Sequence, residues 1–479
     1  MNVLFVAHIS SFYQLGVMYL SSILKFFGHK SRLVDINYRS IRNELKKGTY
    51  DTVAFSVPTI HYGRILPIIR KIKQEYNTIL ILLGGPHPTF VPSIIEESSI
   101  DGVCIGEGEY AFLELLNKYQ AKKSIKDVKN WWIKEDGKIF RNSVRNLIDD
   151  LDQLPFPDYK LYKHDFPPDS RFKYVLTSRG CPYHCSYCSL PLYRELYQGK
   201  GKILRKRSVE NVIEEISEIS VISPTDYISF VDDLFPLTDR EWLEDFARRY
   251  TKEIKIPFSC RIRADLIDLE RTKLLKEAGC EYACLGIESG NEYIRNTIMK
   301  HNLSEEAIVR ASEIINSQGI KLITFNIIGA PGSSLKNEME TIRLNIKCNP
   351  HGAGAFFFEP CPKIELTEKA IQMNLFDGNF LDLSYKWKFY RRKPMLIFHN
   401  RKEARQIENL HHLFTLCIKF PFLLPILPWL INLPLGWLYY FSFLKWGLII
   451  SSLFLSERYR SLNFYSKVKR LAYFLFHVI

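Results

Sequence analysis

At 479 residues the chain has the length of two or three domains, each large enough to bury a core of its own. A composition 46% hydrophobic and 14% aromatic excludes global disorder, and ten irregularly spaced cysteines exclude a disulfide framework and suit a reducing cytoplasm. The net charge of +13 is unevenly placed: from Arg401 onward ten Lys/Arg stand against three Glu and no Asp, beside the most apolar stretch, which points to a membrane surface and not to nucleic acid.

Met1 opens directly into an apolar run with no basic leader or cleavage site, so no signal peptide is expected. Residues 1–125 alternate apolar runs at 3–6, 31–35, 52–56, 79–83 and 102–105 with amphipathic stretches at 15–27 and 65–76. That pattern predicts a doubly wound, Rossmann-like α/β domain whose ligand lies at the carboxyl ends of a parallel sheet. Glycines fall where those strands end, in Gly84-Gly85-Pro86-His87-Pro88-Thr89 and Gly106-Glu107-Gly108-Glu109, and permit close approach of backbone to a bulky ligand.

Residues 126–170 read as a linker holding a hairpin at 131–140, with Asp136-Gly137 as its turn, and an extended strap stiffened by Pro155 and Pro157. From 171 to 365 strand and helix alternate six times, which predicts a partial (β/α)6 barrel with its site at the strand carboxyl ends.

The first of these strands runs into Thr177-Ser178-Arg179-Gly180-Cys181-Pro182-Tyr183-His184-Cys185-Ser186-Tyr187-Cys188. Three thiolates spaced C-x3-C-x2-C grip one soft metal centre, and because Fe-S clusters and structural zinc usually take four protein ligands, one position stays open for chemistry. Spacing and flanking residues together resemble the radical SAM enzymes. The resemblance implies a [4Fe-4S] cluster held by Cys181, Cys185 and Cys188, S-adenosylmethionine (SAM) on the fourth iron, Tyr187 against the adenosine, and a flavodoxin- or ferredoxin-type electron donor. It further implies that Asp232 and Asp233, after the second strand, take the SAM amino group, with helix capping as the alternative. Arg261 and Arg263 alternate along the third strand and so share a face, and one of them, taken as Arg263, is expected to pair with the SAM carboxylate unless both serve surface ion pairs. Gly286-Ile287-Glu288-Ser289-Gly290 resembles the ribose-binding element, and Ile327 and Gly329, ending the fifth strand, flank adenine. Cys260, Cys280 and Cys284, the latter two beside a turn into a strand, are expected to pack in the core.

The 1–125 region resembles the cobalamin-binding domain that precedes the barrel in one large subclass. Cobalamin is therefore implied, with Gly84, Gly85, Pro86, Gly106 and Glu107 lining its site. The D-x-H-x-x-G element is absent, so His8, His61 and His87 are not assigned to cobalt. Residues 366–412 read as a connecting region and 413–479 as an apolar tail with basic flanks, lying on the membrane or forming a re-entrant hairpin anchored by Trp429, Trp437 and Trp446, or else capping the barrel or forming a dimer interface. A run at 435–455 reaches spanning length, but Lys445 at its middle argues against a simple span. The expectation is a cytoplasmic enzyme, peripheral on the membrane, that methylates an unactivated carbon of an apolar or lipid-like substrate; a ring-forming radical enzyme and a cobalamin or redox sensor are the alternatives.

Overall fold

Five short apolar segments build the parallel half of the first sheet: β1 (Asn2–Val6), β2 (Lys30–Val34), β3 (Thr52–Ser56), β4 (Leu80–Gly84) and β5 (Gly102–Cys104). In the computed structural model, which describes residues 1–9, 13–162, 171–384, 393–398 and 400–440, their order is β2-β1-β3-β4-β5. Val3 and Phe5 face one buried layer while Leu4 and Val6 face the other, which is why β1 reads as a continuous apolar run. The strand order reverses between β1 and β3, and the carboxyl ends there form the crevice in which such sheets take ligand.

The hairpin assigned to the linker belongs to this sheet. β6 (Trp131–Glu135) pairs antiparallel with β5, and β7 (Lys138–Arg141) pairs with β6. Positive φ at Asp136 (52°) and Gly137 (71°) makes the two-residue turn. The open edge of β5 needs a partner, and Trp131 supplies more by donating its indole N–H to Ala111 O at 3.0 Å. The first unit thus runs past residue 125 to Arg141.

The second sheet begins with β8 (Phe172–Val175); a short ribbon of β9 (Ser178–Arg179) and β10 (Arg205–Lys206) leaves its end. β11 (Tyr227–Phe230), β12 (Phe258–Ile262), β13 (Cys280–Glu288), β14 (Lys321–Ile328) and β15 (Gly352–Phe357) follow in parallel, ordered as in the chain, as an open barrel arc. The helices between them start on side-chain caps: Ser208, Asp239, Asp268, Ser304 and Ser334 each accept from a first-turn N–H, which frees the strand ends for the site. Cys280 opens β13 directly after the turn at Ala278-Gly279, Cys284 lies further along the strand, and both are buried with Cys260.

Residues 366–412 are more than a connection. The helix Arg401–Lys419 crosses the expected boundary at 413 and buries Ile407, Leu410, Phe414 and Cys417 against Ile328, Ala353 and Phe357. Thr415 donates to Ala353 O at 2.9 Å, so the start of the apolar tail caps the last barrel strand. Beyond it Phe422, Trp429 and Trp437 are exposed. Among the described residues no helix is long and apolar enough to cross a membrane. Residues 441–479, with Lys445, Trp446 and the basic run 458–470, lie outside the described residues.

Candidate active site

The cysteine loop starts at a glycine no other residue can replace easily. Gly180 has φ +92°, and a Cβ on it would stand 2.2 Å from Ile203 O. Its N–H donates to Asp233 Oδ2 at 3.0 Å, tying the loop to the end of β11. Cys181, Cys185 and Cys188 follow as free thiols, Cys185 buried and the others half-buried. Burial pushes all three thiols up, Cys188 to about 12. Thiols in such a place ionise only when a cation compensates them, which is what a bound iron cluster supplies. Leu190 N–H donates to Cys188 Sγ at 3.5 Å, a bond suited to a thiolate ligand. Three sulfurs on one loop therefore fit a cluster that keeps one iron open.

His301 joins this loop to the barrel, and nothing in the sequence singled it out. The ring is buried; its Nε2 faces Gly286 O at 3.2 Å, which fixes the proton there and leaves Nδ1 as acceptor. Nδ1 takes the Tyr187 hydroxyl at 3.0 Å and Arg263 Nη1–H at 3.3 Å, and stands 3.5 Å from Cys185 Sγ. Burial, and then the Arg263 charge, lower its pKa to about 3, so the ring stays neutral. Arg263 lies just past β12, buried over the Tyr183 ring at 3.7 Å, and spends its guanidinium on Asp265, His301 and Asn302. Arg261, one residue inside the strand end, is exposed. The backbone stays extended through Arg263, so the two arginines keep the alternation of the strand and differ in burial.

Glu288 sits where the β13–β14 register shifts, at φ +63°. A Cβ on Gly286 would fall 2.4 Å from the Glu288 carboxylate, so that glycine makes its room. Burial pushes the Glu288 carboxyl up to about 7, against the pull of the Tyr187 hydroxyl and Arg263. A strained carboxylate at a strand end is the kind of feature functional sites keep. The next loop is pinned by Glu338, which accepts from Gly329 N–H at 2.9 Å and Ser333 Oγ at 2.6 Å.

Between the two sheets lies a cleft of about 480 Å³, whose walls include Gly84, Gly85, Gly106 and Glu107 on one side and Arg179, Gly180, Cys181 and Asp233 on the other. A Cβ on Gly16, also in the wall, would meet nothing within 4 Å. The cleft thus runs from the crevice of the first sheet to the first cysteine.

Comparison with known proteins agrees with this geometry. Residues 4–116 match the B12-binding domain, and residues 175–344 match the radical SAM superfamily. The chain joins a B12-binding domain to a radical SAM domain. An uncharacterized methyltransferase of Pyrococcus horikoshii is 29% identical over 388 residues, covering 78% of this chain and 81% of that one. The hopanoid C-3 methylase of Methylococcus capsulatus is 26% identical over 290 residues, covering 57% and 53%. The radical SAM methyltransferase TsrM of Kitasatospora setae, with cobalamin and a [4Fe-4S] cluster bound, shares the fold at TM-score 0.62, with 15% identity over 79% of this chain and 76% of that one. This is a radical SAM enzyme with a B12-binding domain, and these domains imply a [4Fe-4S] cluster, SAM and cobalamin as its cofactors.

Within the radical SAM domain the structure sorts the expected residues. Cys185, Tyr187, Arg263 and Glu288 gather about His301, and Cys181 and Asp233 reach the cleft. Asp232 is held by the strand that carries the motif. It is fully buried, and its Oδ1 accepts from Thr177 and Ser178, from N–H and hydroxyl of each, so it braces the strand that carries the motif. Ser289 is buried and accepts the Asn291 N–H, while Ile327 shares an apolar cluster with Tyr187. In the B12-binding domain Gly84, Gly85 and Gly106 line the cleft, whereas Pro86 begins the short helix Pro86–Phe90 and is absent from the wall. Glu107 lines it too, but its carboxylate is taken up by Arg179 and Arg205.

Proposed function

We propose that this protein transfers a methyl group from SAM to an unactivated carbon of an apolar, lipid-like substrate, working at the membrane surface with an electron from a flavodoxin- or ferredoxin-type donor. The observation that carries the reading is the placement of Cys181 on the wall of a cleft whose other wall is the glycine loops of the B12-binding domain. An apolar substrate is supported by the hopanoid C-3 methylase among the relatives and by the exposed Phe422, Trp429 and Trp437.

When bound, the cofactors supply a 5′-deoxyadenosyl radical and a methyl group; the protein's work is holding, orienting and drying the site. Cys181, Cys185 and Cys188 hold the cluster. Asp233, fixed by Gly180 N–H, accepts from the SAM amino group. Glu288 accepts from the ribose hydroxyls beside Ser289, and Ile327 with the loop at Gly329 flanks adenine. Arg263 acts through His301 and Tyr187, holding them against Cys185. Gly84, Gly85 and Gly106 line the wall against which the corrin would lie.

The test is anaerobic protein with rebuilt cluster and added cobalamin, assayed for iron, cobalt and label transfer from methyl-labelled SAM into a lipid extract. Iron and cobalt together, a labelled lipid, and loss of iron in Cys185→Ala are expected. A product formed without label would replace methylation by ring formation or rearrangement.

A further inference from the structure

Gly106 and Glu107 form the turn that closes one side of the cleft, and Arg179 stands two residues before Cys181. These two loops are bolted together by a charge network. Arg179 and Arg205 face each other across the β9–β10 ribbon. Two guanidinium groups so placed, both little exposed, repel unless an anion lies between them. Glu107 fills that place, at 3.2 Å from Arg179 and 2.8 Å from Arg205, and also accepts from Ile148 N–H at 3.1 Å. Glu109 takes the other Arg179 nitrogen at 2.7 Å, so two arginines balance two glutamates. The same turn is gripped a second time from the barrel. Tyr197, buried, accepts Glu107 N–H at 2.7 Å, and its hydroxyl lies where a Gly106 Cβ would be, 1.9 Å away. An exposed ion pair would hold little, whereas breaking a buried one leaves uncompensated charge and moves what it held.

We propose that this network is a rigid bracket that sets the separation and mutual orientation of cobalamin and the iron-sulfur cluster, with Glu107 and Arg179 as positioning residues. It rests on the cofactor reading above and adds what that reading leaves open, namely what fixes one cofactor relative to the other. Displacements on the order of 1 Å are enough to weaken group transfer strongly, which gives a two-cofactor enzyme a physical need for such a part.

The experiment uses full-length wild type, E107Q and R179K, loaded without oxygen with cluster and cobalamin and checked for iron, cobalt and circular dichroism. The readout is the spin relaxation of cob(II)alamin with the cluster oxidised and then reduced, which depends on the distance and angle between the two centres and not on turnover. In wild type the reduced cluster speeds relaxation to one value. In the variants, with both cofactors bound, the enhancement falls or spreads over several values; R179K keeps the charge but cannot fork between Glu107 and Glu109. Wild-type relaxation in both loaded variants would overturn the bracket alone. Failure of wild type to hold cobalamin would overturn the cofactor reading, and the bracket with it.

Discussion

Gly180→Ala tests whether the turn before Cys181 is what allows the cluster loop to form. The new methyl would sit 2.2 Å from Ile203 O and 2.9 Å from Ile203 C, so the ribbon has to open by roughly 1 Å to reach ordinary C···O contact. Overpacking of this sort costs about 1–3 kcal/mol. A φ of +92° adds strain of about 1–3 kcal/mol for a residue with a Cβ. Together they come to about 2–6 kcal/mol, and opening the ribbon also pulls Gly180 N–H from Asp233. Gly199→Ala separates the two costs: Gly199 has φ +71° with nothing within 4 Å of its would-be Cβ, so only backbone strain applies. Urea unfolding of the cluster-free proteins and iron per chain after reconstitution are the measurements. Gly180→Ala is expected to lose more stability than Gly199→Ala and most of its iron. Equal stability losses with full iron in both variants would refute the reasoning.

Burial pushes the Asp232 carboxyl from 3.8 to about 6, so the folded chain keeps a proton that the unfolded chain releases. Stability therefore falls as pH rises from about 4 to about 6, by an amount on the order of 3 kcal/mol, and Asp232→Asn flattens that slope in denaturation curves taken across the window. His301→Ala removes the ring acceptor from the Tyr187 hydroxyl and from Arg263 Nη1, at about 1–3 kcal/mol each, and weakens SAM binding by calorimetry while iron per chain is retained. Glu338→Ala strands Gly329 N–H and the Ser333 hydroxyl and lowers SAM affinity without touching cobalamin content, which spectral titration checks. Trp429→Ala with Trp437→Ala, both at exposed positions, leaves the unfolding free energy unchanged within about 0.5 kcal/mol and lowers cosedimentation with anionic vesicles.

The sequence by itself determined the elements whose signal is local. Cysteine spacing marks a cluster loop because one loop can present three thiolates without help from elsewhere, and the apolar runs of 1–125 mark a parallel sheet because its strands are buried on both faces. Asp136-Gly137 likewise marks a turn from two residues alone. Tertiary structure decided everything that depends on which distant groups meet. The hairpin joined the first sheet because β5 offered an unpaired edge, and the first turns of the apolar tail became a cap because β15 offered an uncovered face. Asp232 reads as a ligand in sequence, and the fold adds four donors from Thr177 and Ser178 on its Oδ1. Arg263 reads as a cation for a carboxylate, and the fold sets it against His301, which lies 116 residues beyond the Cys185 it touches. Glu107 reads as part of a glycine-rich ligand loop, and only the fold sets two arginines of the other domain against it. A charge finds its role in the partner that burial leaves it, and that partner is a property of the folded chain.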